Sequence, residues 1–257
     1  TVGDTTPPAV ICAAPSSASA GANGLAAIPN VLSGVTASDN VTPAGSISLV
    51  QSPLAGTLVG VGTHPITVTA TDQAGNASAC TTTFTVGDTT PPAVICAAPS
   101  SASAGANGLV AIPNVLAGVT ASDNVTPAAS LTLSQSPAVG TLVGVGTHPI
   151  TVTATDQAGN SASCTTTFTV GDTTPPAVIC PAPSSASAGA NGLAAIPDVL
   201  SGVTASDNVT PVGSISLVQS PAVGTLVGVG IHHITVTAAD QAGNSASCTT
   251  TFTVGDT

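Results

Sequence analysis

The side chains best suited to chemistry in this 257-residue chain are carboxylates. All 11 acidic residues are Asp, with no Lys, Arg or Glu, and the formal net charge is −11. Nine of them fall into three sets, Asp4, Asp39 and Asp72, then Asp88, Asp123 and Asp156, then Asp172, Asp207 and Asp240. Each set carries Asn neighbours: Asn40 and Asn76, Asn124 and Asn160, Asn208 and Asn244. Carboxylates brought together without a cation repel one another. Calcium takes about six to eight oxygen ligands from Asp, Asn and backbone carbonyls and would relieve that repulsion. The nine Asp with Asn76, Asn160 and Asn244 are therefore candidate calcium ligands. The competing reading is local: Asx side chains hydrogen-bond their own backbone and make turns. Spacing alone does not separate the two.

Other reactive groups are few. The Cys residues pair by position as Cys12 with Cys80, Cys96 with Cys164 and Cys180 with Cys248, each pair 68 residues apart. Metal sites need closer pairs with His nearby, so the pattern reads as one disulfide per repeat in an oxidising compartment, against six free buried thiols. Asn40, Asn124 and Asn208 open Asn-Val-Thr sequons and Asn76 opens Asn-Ala-Ser, so all four are candidate glycosylation sites. Pro43, Pro127 and Pro211 disfavour three of them, and a glycan on Asn40 would compete with calcium. Thr rows on the strands offer O-glycan positions or simply a solvated face. His64, His148, His232 and His233 stand at the start of a strand and read as exposed edge residues. No arrangement supplies a nucleophile with a base, so the chain is not expected to be an enzyme. Without a single cation it cannot neutralise phosphates, which excludes nucleic acid and disfavours anionic membrane surfaces. No apolar run approaches the ~18 residues of a spanning helix, so no membrane insertion is expected in this segment.

The elements that must position these groups come in copies. Val-Gly-Asp-Thr-Thr-Pro-Pro-Ala-Val-Ile-Cys begins at Val2, Val86 and Val170, and a truncated fourth copy begins at Val254, a constant spacing of 84 residues. That period suits one small domain. The expected domains are 1–87, 88–171 and 172–257, the last including the start of a further junction, and both ends look like cuts through a longer array. Pro-Pro at each junction favours stiff extended backbone. Within the first copy, His64 to Thr71 alternates Ile66, Val68 and Ala70 against Thr67, Thr69 and Thr71. Ala79 to Val86 alternates Cys80, Thr82, Phe84 and Val86 inward against Thr81, Thr83 and Thr85. Asp72 to Asn76 is a tight turn between them. Shorter strands are expected at Ala9 to Cys12, Leu25 to Ile28, Ser46 to Gln51 and Thr57 to Val59, with Ala14 to Gly24 an edge segment or loop. Period-2 runs broken by Gly, Pro, Asp and Asn specify an all-β antiparallel sandwich. Such a sandwich gathers the junction, the loop after Ala37 and the last hairpin turn at one pole, which would bring each Asp set together.

The unit resembles the hyalin repeat (HYR) domain, an immunoglobulin-like module of extracellular proteins. The features that carry the likeness are Asp4-Thr5-Thr6-Pro7-Pro8 with Val10-Ile11-Cys12, then Ala37-Ser38-Asp39-Asn40 and Val61-Gly62-Thr63. They continue through Ile66 to Asn76 and Ala77-Ser78-Ala79-Cys80, and they recur in all three copies. Members of the family often carry a second Cys pair, one of them just after the Asp-Asn; here Val41 stands there, which leaves Cys12–Cys80 as the bond between first and last strands. The resemblance implies three tandem immunoglobulin-like β-sandwiches in an extended rod, on a cell surface or in a secreted filament. The expected function is that of a stiff spacer in a stalk, adhesin or filament, whose partners are neighbouring copies or further repeats of the chain. The alternatives are an adhesive module for glycans or proteins and an ice- or surface-binding role for the Thr rows.

Overall fold

The computed structural model describes residues 3–256. Thr1 and Val2, at the first copy of the junction motif, and Thr257, at the last, lie outside the described residues. Repeat one contains β1 (Ala9–Ile11), β2 (Ser16–Ser19), β3 (Ala26–Ala27), β4 (Thr36–Ser38), β5 (Ser48–Ser52), β6 (Leu58–Val59), β7 (Gly62–Thr71) and β8 (Ala77–Gly87). The same series recurs in repeats two and three. The all-β expectation holds, with three repeated sandwich units, each closed by a disulfide: Cys12–Cys80, Cys96–Cys164 and Cys180–Cys248. Among the described residues, no helix is long and apolar enough to cross a membrane; the helical turns are short 3-10 pieces such as Leu32–Gly34 and Ala44–Ser46.

The β7–β8 hairpin is the centre of each repeat. Its alternation is the sequence alternation: Ile66, Val68 and Ala70 have no exposed surface, while Thr67, Thr69 and Thr71 face outward and are half-buried. The connecting turn needs Gly75 at φ 93°, a conformation that costs a residue with a Cβ. On one side β7 pairs antiparallel with β5. On the other, β8 pairs with β2, and this pairing is parallel, Ser16 opposite Phe84 and Ser19 opposite Gly87. The antiparallel expectation fails at this edge because β1 pairs with β4 in another sheet. The chain changes sheets between β1 and β2 instead of folding back through a hairpin, and only a hairpin enforces antiparallel pairing.

Ala20, Ile28, Val31, Ile66, Val68, Phe84 and Val86 form the core of repeat one, with Cys12, Cys80, Leu49 and Val59 packed at its edge. Ala188, Ile196, Val199, Ile234, Val236, Phe252 and Val254 repeat it in repeat three. Two inward strand positions of repeat one are polar, Gln51 on β5 and Thr82 on β8. Gln51 on β5 is 4% exposed; its Oε1 accepts from the Val31 N–H at 2.9 Å, and its Nε2 donates to the Pro29 and Pro53 carbonyls at 3.0 and 3.1 Å. It satisfies backbone groups that no strand could pair. Gln135 and Gln219 do the same in their repeats.

By contacts the chain divides into two compact units, and the division passes through the second repeat. The first unit runs through Ala97 and adds Gly118–Ser134 and Val152–Cys164. The second comprises Ala98–Ala117, Gln135–Thr151 and the residues from Thr165 onward.

Candidate functional site

Three loops converge at one end of each sandwich. In repeat one Asp4 comes from the junction, Asp39 follows β4 and Asp72 ends β7. One oxygen from each lies within 4.8 Å of the other two. Asp88, Asp123 and Asp156 form the same group, as do Asp172, Asp207 and Asp240. The turn chemistry expected of these residues is present, and on Asp4 and Asp39 it engages one carboxylate oxygen each. Asp4 Oδ1 accepts from the Thr6 N–H at 3.1 Å. Asp39 Oδ2 accepts from the N–H groups of Val41 and Thr42 at 3.0 and 2.8 Å. Asp4 Oδ2 and Asp39 Oδ1 are left buried with no hydrogen-bond partner among the described residues. The same oxygens are left on Asp88 and Asp123 and on Asp172 and Asp207.

Asp72 is the most buried of the three, 6% exposed. Its Oδ1 accepts from the Asn76 N–H and its Oδ2 from Asn76 Nδ2, both at 2.8 Å. Asn76 Nδ2 also reaches the Asp4 carbonyl at 3.2 Å. Asn76 therefore clamps the hairpin turn to the junction, and Asn160 and Asn244 hold the same contacts. Thr42, buried at 4%, accepts from the Gln73 N–H at 3.3 Å and ties the Asp39 loop to the same turn. The hydroxyl of Ser78 donates to the Pro8 carbonyl and fixes the junction to β8.

Hydrogen bonding lowers the pKa of Asp39 and of Asp72, Asp156 and Asp240. N–H donation from Thr42 and Val41 holds Asp39 below its usual range against the cost of its desolvation. For Asp72, burial is the largest single influence and pushes upward; the side-chain and backbone donors of Asn76, with the N–H groups of Gly75 and Ala74, together outweigh it and leave the carboxyl lowered. Asp156 and Asp240 behave alike. A carboxyl with a lower pKa folded than unfolded contributes stability above the unfolded value, and that contribution disappears as pH falls through the folded one. The unfolding midpoint is thus expected to stay level from neutral pH down to about pH 5 and to fall below about pH 4. A thermal melt series across that range checks it, and the combined D72N, D156N and D240N variant should flatten the acid limb.

The candidate glycosylation residues fall into distinct settings. Asn40 is exposed, while the Asn76 amide is taken up in the clamp. Asn124 Nδ2 donates to the Gly21 carbonyl at 2.8 Å, inside the first compact unit, and Asn208 Nδ2 donates to the Gly105 carbonyl at 2.8 Å, inside the second. The His residues differ from expectation. His64, His148 and His232 are half-buried, and each ring bonds the carbonyl of Gly60, Gly144 or Gly228 at 2.7–2.8 Å; of the four, only His233 is exposed. Each of the three points inward on β7 or its equivalent, a position that the start of a period-2 run implies. The role of Gln51 escaped the sequence reading, though a signal existed: it stands two residues from Leu49, on the inward face of an alternating strand.

Residues 3–86, 87–170 and 171–254 each match the profile of the HYR domain. Hyalin of Strongylocentrotus purpuratus is 36% identical over 187 residues, 69% of this chain and 15% of that protein. Among solved structures, mouse cadherin-23 EC22-24 covers 98% of this chain and 100% of its own at 15% identity and a TM-score of 0.44. Drosophila N-cadherin EC1-4 covers 97% of this chain and 75% of its own at 14% identity and a TM-score of 0.38.

Proposed function

The chain belongs to the HYR domain family, and on that premise we propose that it is a structural segment of an extracellular protein, a spacer whose junction poles each hold a calcium ion. Its disulfide-bonded repeats point to an extracellular location. In this reading 1–87, 88–171 and 172–257 fold as separate domains. The partners are neighbouring repeats or copies of the chain, and no catalytic step is involved.

The observation that carries the calcium assignment is the pair of buried, unpartnered oxygens on Asp4 and Asp39 beside Asp72, in a chain with no Lys or Arg to neutralise them. The donor set is all oxygen and all acidic, which suits a hard divalent cation. Bound there, the ion would supply the positive charge that the sequence lacks. The protein's own part is positional. Backbone N–H groups hold Asp39 by one oxygen and turn the other inward, and the Asn76 clamp fixes Asp72 against the junction. The spacer assignment rests on the repetition of these residues in all three copies, because a spacer selects for length and uniformity rather than one unique site.

Melting the protein with calcium and then with excess chelator tests the proposal. Calcium at about 100-fold over Kd should stabilise each repeat by about 2.7 kcal/mol. The D39N, D123N and D207N variant should lose that response while still folding, since an Asn carbonyl can accept the same two N–H bonds. Equal melts of the parent with and without chelator would sink the calcium assignment.

A further inference from the structure

We propose that the Gly21–Leu25 turn and the Asp123–Thr126 loop are the two halves of a latch between repeats that works without metal, its partner surface being another copy of the same repeat. The turn is a tight loop before β3: the Gly24 N–H donates to the Gly21 carbonyl, the Gly21 N–H to the Leu25 carbonyl and the Leu25 N–H to Asn23 Oδ1. These bonds leave the Gly21 carbonyl free to accept a further donor, and Asn124 Nδ2 supplies it at 2.8 Å. Gly24 lies at φ 74°, and a Cβ there would stand 2.6 Å from the Asn124 carbonyl oxygen. The approach thus requires glycine on both conformational and steric grounds. Val125 packs against the core cluster of repeat one. Thr89 Oγ1 also donates to Ser19 Oγ at 2.9 Å. All these residues lie in the first compact unit.

The second unit contains the same latch built from equivalent residues. Asn208 Nδ2 donates to the Gly105 carbonyl at 2.8 Å, a Cβ on Gly108 would stand 2.7 Å from the Asn208 carbonyl, and Thr173 Oγ1 donates to Ser103 Oγ at 2.9 Å. Among the described residues each half also occurs outside the contact. Val41, in the loop equivalent to Val125, is 65% exposed, and Asn40 beside it is exposed. Gly192, the equivalent of Gly24 at the same φ, has nothing within 4 Å. Identical local sequence therefore occurs with and without the contact, and the difference is burial at Asn124, Val125, Asn208 and Val209.

Hydrogen exchange on the full chain, with excess chelator present throughout, tests the latch apart from any calcium effect. In N124A the amides of 21–25 should exchange at least about five-fold faster, the loss of one hydrogen bond worth about 1 kcal/mol. N40A makes the same change in a loop that lies outside this contact among the described residues, and should leave 21–25 unchanged. From the other side, G24A should speed exchange in 123–126, whereas G192A, with the same backbone strain, should not. This second pair decides the matter if N124A disturbs its own loop. Unchanged exchange at 21–25 in N124A and at 123–126 in G24A, or equal effects from the control variants, would overturn the proposal. If calcium proves absent and the exchange pattern holds, the latch stands alone.

Discussion

Removing the Cys12–Cys80 bond is expected to lower the stability of repeat one by roughly 4 kcal/mol, as estimated from the loop-closure entropy of a 68-residue separation. For a domain of this size that corresponds to a fall of about 15–30 °C in its unfolding midpoint. The effect is large because the rest of the repeat is built from small parts. Apart from Phe84, its largest fully buried side chains are Ile28 and Ile66. The bond joins the end of β1, in a two-stranded sheet, to β8 at the centre of the four-stranded one. Without it the two layers of the sandwich are held together by side-chain packing and a few hydrogen bonds, such as that from Ser78 on β8 to the Pro8 carbonyl. Calorimetry of the C12S/C80S variant should resolve an early transition for repeat one ahead of the other two repeats. Reduction of all three bonds should move the whole profile. A shift of only a few degrees in either case would show that the aliphatic core suffices.

Truncating the one aromatic side chain of repeat one should be nearly as damaging. Phe84 is 3% exposed and packs among Ile28, Val31, Ile66, Val68 and Val86. F84A is expected to lose about 3–5 kcal/mol, the transfer energy of the ring together with the cavity left behind. Small β-branched neighbours on paired strands cannot move inward to fill that space. F84L should recover much of the loss. T85A, one residue further along the same strand and exposed, should change stability by no more than ~0.5 kcal/mol. Chemical denaturation of the three variants gives the ranking. Equal effects from F84A and T85A would show that the ring lies outside the core.

These two expectations differ in how early they can be read. The alternation Cys80, Thr82, Phe84, Val86 names the inward face of β8 from the sequence, because side chains on a strand change face at every residue. The pairing partner of β2 cannot be read that way. Ser16 to Ser19 has no apolar alternation, and its parallel place beside β8 follows from a change of sheet that no local pattern encodes. The Asp sets lie between these cases. Their positions in turns are visible in Asp39-Asn40 and in Asp72-Gln73-Ala74-Gly75-Asn76. That one oxygen of each reaches within 4.8 Å of the others depends on three loops separated by some thirty residues apiece.

The 84-residue period, the Cys pairs, the faces of the long hairpin and the Asx turns were determined by the sequence alone, since each depends on repetition or on neighbours a few positions away. Tertiary structure alone decided which Asp oxygens remain unpartnered, how Gln51 satisfies the backbone around Pro29, and why three Asn-Val-Thr segments differ. Asn40, Asn124 and Asn208 have the same residues around them, yet the first is exposed while the other two donate to glycine carbonyls 103 residues away. Local preferences are the same wherever the same residues recur. Burial and hydrogen bonding across such separations belong to the packed chain, in which copies of one sequence meet different surroundings.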